Sequence, residues 1–304
     1  MISSPPGLRR LAAFTALATV FLIFAGALVT STGSGLAVPD WPLSYGTLFP
    51  PMVGGIFYEH GHRLIAGSVA LLTAALAGLA WWKEPRPIVR RLAFLALLAV
   101  LAQAVLGGLT VLFLLPTAIS VSHAALANLF LCLIVALAVL TRTPSPRPEH
   151  LPGPAPATDL PRRAWLALAV MIYIQMLLGA LMRHTGAGLA IADFPLAQGR
   201  LVPPLSDPGV AIHFMHRVGA LAVLALGLVA VPATVRAAHT PPGSRWPAVL
   251  LLIALPAQIA LGAWTVLGGK PIYPTTLHVV TGSACLALSV RGWLSWRLAA
   301  VEAA

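Results

Sequence analysis

Four histidines, His62, His123, His216 and His278, each stand close to the start of a long apolar stretch. Ionisable groups at the mouth of an apolar helix are costly unless they bind something. His62 and His123 form one pair along the chain, and His216 and His278 form another. Two imidazoles facing each other near a membrane surface suit axial ligation of haem iron. A zinc site would call for three or four protein ligands and an open water position. Glu59 lies three residues before His62 and shares its helix face. The residue three before His216 is His213, so only one pair has a carboxylate beside it. A carboxylate in apolar surroundings can move protons. The plainer reading is a carboxylate favoured by the positive end of the helix dipole. Arg63 and Arg217 directly follow ligand candidates, where they could pair with haem propionates or reach out to headgroups. His60, His184 and His213 read as supporting or interfacial groups. His150 and His239 fall in polar segments and read as solvated.

The elements that would position these groups are membrane helices. Of 304 residues, 59% are hydrophobic and 9% charged, too few charges to cover a soluble surface. Apolar windows predict eight spans, near 10–32, 59–82, 92–114, 119–141, 164–183, 211–235, 247–268 and 275–296. Only helices satisfy their own backbone across lipid, apart from closed barrels. The expected fold class is therefore an all-α integral membrane protein. The apolar run after Arg9 and Arg10 reads as a retained first span rather than a cleaved signal. Cys132 and Cys285 lie inside apolar runs, which argues against a disulfide or a cysteine metal site. Of nineteen Lys and Arg residues, fourteen fall in one set of termini and loops. The positive-inside rule puts both termini in the cytoplasm and the four histidines near the outer face. The net charge of +11 is accounted for by this asymmetry, with no nucleic-acid partner.

The proline-rich segment 142–163 reads as a cytoplasmic linker between residues 1–141 and 164–304. The two halves repeat. Gly26 to Pro51 and Gly179 to Pro204 match at fifteen of twenty-six positions without a gap. Gln103 and His123 are twenty residues apart, as are Gln258 and His278. Such duplication predicts two tandem four-helix bundles. An even number of helices per unit predicts a pseudo-twofold axis along the membrane normal. The two outer loops, 33–58 and 184–210, carry Asp40-Trp41-Pro42-Leu43 and Asp193-Phe194-Pro195-Leu196. Each loop folds over a site or anchors an aromatic ring in the interface.

With these residues the chain resembles the haem A synthase family. The resemblance rests on Glu59, His62 and Arg63, on His123, on His216 and Arg217, on His278, and on the paired Gly-x-Gly-Leu-Ala loops. It implies oxidation of a ring methyl of haem O to the formyl group of haem A, for terminal oxidases in the cell membrane. It further implies that Glu59, His62 and His123 handle haem O, while His216 and His278 hold a haem b. Haem O synthase and an electron donor of unknown identity are the partners it suggests. Some members carry a cysteine pair in the first outer loop. None occurs between Thr32 and Tyr58, so the chain resembles the cysteine-free type. Spacing alone does not say which haem is worked on. The rival is a two-haem electron-transfer cytochrome, in which both haems are permanent. A transporter is a third reading, disfavoured because the ionisable groups cluster at the outer mouths rather than at mid-membrane.

Overall fold

The computed structural model describes residues 3–143, 159–237, 240–241 and 243–302. Eight helices follow in order: α1 Pro6–Ser31, α2 Gly54–Lys83, α3 Pro87–Leu112, α4 Thr117–Arg142, α5 Leu160–His184, α6 Pro208–Val235, α7 Arg245–Leu267 and α8 Ile272–Glu302. All eight are long and apolar enough to cross a membrane, and a single short 3₁₀ turn, Ala187–Leu189, interrupts the second outer loop. Most of the expected linker, with His150, and also His239, lie outside the described residues.

Helix starts follow the local chemistry. Proline opens α1, α3 and α6, where its missing N–H costs nothing. Asp207 caps α6 by accepting from the Val210 N–H at 3.0 Å. Helices α2 and α6 begin at Gly54 and Pro208, a few residues before the hydropathy onset expected at 59 and 211. Glu59, His62, His213 and His216 therefore sit one to two turns inside their helices rather than at the first residue.

Within each half, sequential helices pack side by side and the first also packs on the last: α1 on α2, α2 on α3, α3 on α4 and α1 on α4, then the same for α5 to α8. The halves meet where α1 packs on α8, α4 on α5 and α4 on α8. Each half has its own apolar core. Leu76, Ile134 and Leu137 centre the first, and Trp165, Leu168 and Leu251 the second. Trp165 lies on Gly292 and donates its indole N–H to Thr234 Oγ1 at 2.8 Å. At the end opposite the histidines, Arg86 pairs with buried Glu84 at 2.7 Å and also donates to the Leu140 and Thr143 carbonyls. That network ties the α2–α3 turn to the end of α4.

Candidate functional site: two paired-histidine pockets

Each of the four histidines lies on a glycine of the preceding helix. A Cβ added at Gly26 would meet His62 Cε1 at 2.9 Å, and one at Gly107 would meet His123 Cε1 at 3.1 Å. The second half repeats this with Gly179 beneath His216 and Gly262 beneath His278, each at 3.0 Å. The odd-numbered helices thus supply notches and the even-numbered helices supply imidazoles. Any side chain at these glycines would push a ring out of place. The sequence carried this signal, since Gly26 and Gly179 stand at matching positions of the duplicated stretch, as do Gly107 and Gly262. Sequence reasoning did not connect them to the histidines.

Polar support for the rings differs between the halves. One turn before the notch stand Gln103, Gln175 and Gln258, but Leu22 takes that place before Gly26. Gln175 Nε2 donates to the His216 carbonyl at 2.6 Å and lies 3.1 Å from His216 Nδ1. His278 Nδ1 lies 3.0 Å from the Gln258 carbonyl oxygen, which fixes the ring, while the Gln258 amide nitrogen lies 3.4 Å from its Nε2. In the first half Gln103 donates to the His123 carbonyl at 2.8 Å, and the Leu22 and Gln103 carbonyls lie beside His62 and His123, though Nδ1 of neither ring makes a hydrogen bond of normal geometry. The His216 and His278 rings face each other with centroids 6.4 Å apart and planes at 64°. Among the described residues His62 and His123 make no such ring contact.

The second pair fits a bis-histidine metal centre. Two imidazole–metal bonds of about 2 Å, with the ring radii added, give a centroid separation close to the one observed. No three His, Cys, Asp or Glu side chains converge on a metal-sized site among the described residues, so the fold assembles pairs.

Glu59, almost fully buried, has both oxygens engaged. Oε2 accepts the Val38 N–H at 2.8 Å and Oε1 pairs with Arg63 at 2.7 Å. Neither bonds to His62. The same task falls to His213 in the second half, where Nδ1 accepts the N–H of Ile191, the counterpart of Val38, at 3.3 Å. The residue that breaks the sequence repeat therefore keeps a structural duty common to both halves. Arg63 also donates to the Asp40, Leu43 and Val38 carbonyls, and Arg217 to those of Leu196, Ile191 and Asp193. Both arginines clamp the outer loops with η nitrogens that the sequence leaves open to either propionates or headgroups.

The outer loops are built alike. Tyr45-Gly46 and Gln198-Gly199 take positive φ at both central turn positions, as two-residue hairpin turns require. Asp40 accepts the Tyr45 and Gly46 N–H groups at 2.7 and 2.8 Å, and Asp193 accepts those of Gln198 and Gly199 at the same distances. Those bonds, chiefly from Gly46 and Gly199, hold both carboxyls below the usual carboxylate range. Their contribution is present above the unfolded-state value and is lost only as pH falls through the lower folded-state one. The first loop has one hydrogen bond that the second replaces. Ser44 Oγ meets His60 Nδ1 at 2.8 Å, where Ala197 and Phe214 supply an apolar contact instead. Trp41 lies against Gly108, the neighbour of the His123 notch.

Known proteins extend the comparison. Residues 52–290 match the COX15-CtaA family model, described as cytochrome oxidase assembly protein. The chain is 32% identical to the haem A synthase of Halalkalibacterium halodurans over 281 residues, which is 90% of this chain and 91% of that protein. It is 34% identical to the haem A synthase of Symbiobacterium thermophilum over 267 residues, 84% of this chain and 85% of the relative. The haem A synthase of Shouchella clausii is 31% identical over 229 residues, 73% of this chain and 74% of the relative.

Proposed function

The chain belongs to the COX15-CtaA family of cytochrome oxidase assembly proteins, and on that premise we propose that it is a haem A synthase of the cell membrane, oxidising a ring methyl of haem O to a formyl group. The observation that supports a division of labour is the unequal restraint of the two histidine pairs. His278 is held at Nδ1 by the Gln258 carbonyl, His216 is fastened through its own carbonyl by Gln175, and the two rings lie 6.4 Å apart. We assign them to a resident haem b, which would supply one-electron redox chemistry when bound. His62 and His123 meet the Leu22 and Gln103 carbonyls only loosely, and a leucine stands in place of one glutamine. A ligand pair held less firmly suits a substrate that must enter and leave, so we assign it to haem O.

The chain's own residues then act as follows. Gly26 and Gly107 admit the two imidazoles to the helix surface, where His62 and His123 orient the substrate iron. Trp41 and the Ser44–His60 contact hold the first outer loop over that pocket. Glu59 fastens the same loop to α2, one turn outward from His62, and stands where a proton released by the oxidation could pass outward. Arg63 and Arg217 position the loops. Both termini lie in the cytoplasm and both pockets near the outer face, following the charge asymmetry. The two halves derive from one four-helix unit repeated about an axis along the membrane normal.

Pigment analysis tests this reading. Membranes holding the protein and a source of haem O should accumulate haem A, and the purified protein should retain haem b. A protein that retains two haems permanently and forms no haem A would establish the electron-transfer cytochrome instead.

A further inference from the structure

Arg183 is the third member of a row on α5. Gln175, Gly179 and Arg183 recur every four residues and so share one helix face. Gln175 bonds His216, Gly179 seats it, and Arg183 stands one turn further toward the outer end of the pocket. The side chain is mostly buried, and among the described residues its only hydrogen bond is Nη2 to Ser31 Oγ at 2.9 Å. No carboxylate among them pairs with it, since the ion pairs there belong to Arg63, Arg86, Arg162 and Arg163. An arginine charge largely withdrawn from water at the end of a helix, with one hydroxyl and no anion beside it, is costly. The geometry calls for an anion that the chain does not provide.

We propose that Arg183 anchors the ligand of the His216–His278 pocket by pairing with one of its propionate carboxylates, an inference that rests on the assignment of a haem to that pocket. A planar guanidinium matches a carboxylate in a two-point pair, which an ammonium cannot do. Arg217 is the candidate that sequence adjacency favours, but its η nitrogens are occupied by three loop carbonyls. Ser31 comes from α1, so the other half of the molecule completes the anchor. At the position of Arg183 the first half has Thr30, whose hydroxyl turns back to the Gly26 carbonyl at 3.1 Å. The substrate pocket therefore has no such cation on its own first helix. That absence agrees with a ligand that is released.

The test uses the full-length protein purified from membranes, with haem b content and the midpoint potential of the bound haem as readouts. Arg183→Gln should retain at least roughly tenfold less haem on dilution, as expected for loss of a charge-assisted pair. Any haem that remains should titrate at a lower potential, because a nearby positive charge favours the ferrous form. Arg183→Lys should restore the potential while recovering only part of the affinity. Should Arg183→Gln fail to accumulate, the ligand side answers the same question in the wild-type protein. Stripped of pigment, it should take up haemin at least roughly tenfold more tightly than haemin dimethyl ester. Wild-type content and potential in Arg183→Gln, or equal uptake of haemin and its diester, would overturn the proposal. His278→Ala separates this from failure of the underlying assignment. If that variant loses the haem while Arg183→Gln does not, only the anchor is wrong; if both keep it, the pocket assignment falls as well.

Discussion

The two halves share a backbone plan and differ in how tightly each holds its imidazoles. Four glycine notches seat four histidines, two hairpin loops are latched by two aspartates, and two arginines clamp those loops. Against that common frame the differences are few. Leu22 stands for Gln175, Thr30 for Arg183, Glu59 for His213, and His60 for Phe214. The second half spends its polar groups on the rings and the outer end of the pocket. The first spends them on the loop above it. On the proposed assignment, a duplicated unit gives one permanent ligand pair and one exchangeable pair through a handful of moved hydrogen bonds, on the same helix plan.

The comparison breaks most visibly at the histidines. His216→Ala or His278→Ala should abolish the low-spin spectrum of retained haem b, while His62→Ala and His123→Ala should leave it and abolish haem A formation. Spectra and pigment analysis of variants present at normal membrane levels decide this. An exchange of phenotypes between the pairs would reverse the assignment of the halves.

Glu59 comes next. Glu59→Gln should lower haem A yield by roughly a hundredfold if the carboxylate handles protons, with haem b in the second half unchanged. Glu59→His sharpens the result, because a histidine at the matching position already accepts the loop N–H in the second half. Wild-type turnover in Glu59→His would show that no carboxylate is required there, and wild-type turnover in Glu59→Gln that the residue only fastens the loop.

Smaller effects belong to the notches. Gly179→Ala puts a methyl 3.0 Å from His216 Cε1 and Gly26→Ala puts one 2.9 Å from His62 Cε1. Each should displace its own ring, at a cost of about 1–3 kcal/mol for the crowded contact. Gly179→Ala should alter the haem b spectrum, and Gly26→Ala should alter turnover alone.

The smallest expected change tests the restraint argument itself. Leu22→Gln gives His62 the glutamine that its three counterparts have. Retention of haem O or haem A on the purified protein should rise by up to about tenfold, the lower range for outer-shell contacts at metal ligands. Product release should slow in step. Unchanged retention would detach ligand exchange from the missing glutamine.

Much of this molecule is determined by the sequence alone. Eight spans follow from runs of apolar residues, because a helix in lipid must satisfy its own backbone and needs no distant partner to be recognised. The duplication follows from fifteen identities in one gapless stretch, and the four histidines stand out because charge and imidazole are scarce there. Tertiary structure alone decided what each side chain touches. Gly26 and His62 are far apart in sequence, and nothing local says that one is the seat of the other. Arg63 and Arg217 follow histidines in the chain yet turn to loop carbonyls, since a helix sends consecutive residues about 100° apart. Glu59 and His213 differ in chemistry and share a task that appears only when the loops fold back onto α2 and α6. In the sequence Arg183 is only one of the five Lys and Arg residues outside the cytoplasmic set of fourteen. It became a candidate anchor only when α1 and α5 came together, because an unpaired charge is defined by everything around it.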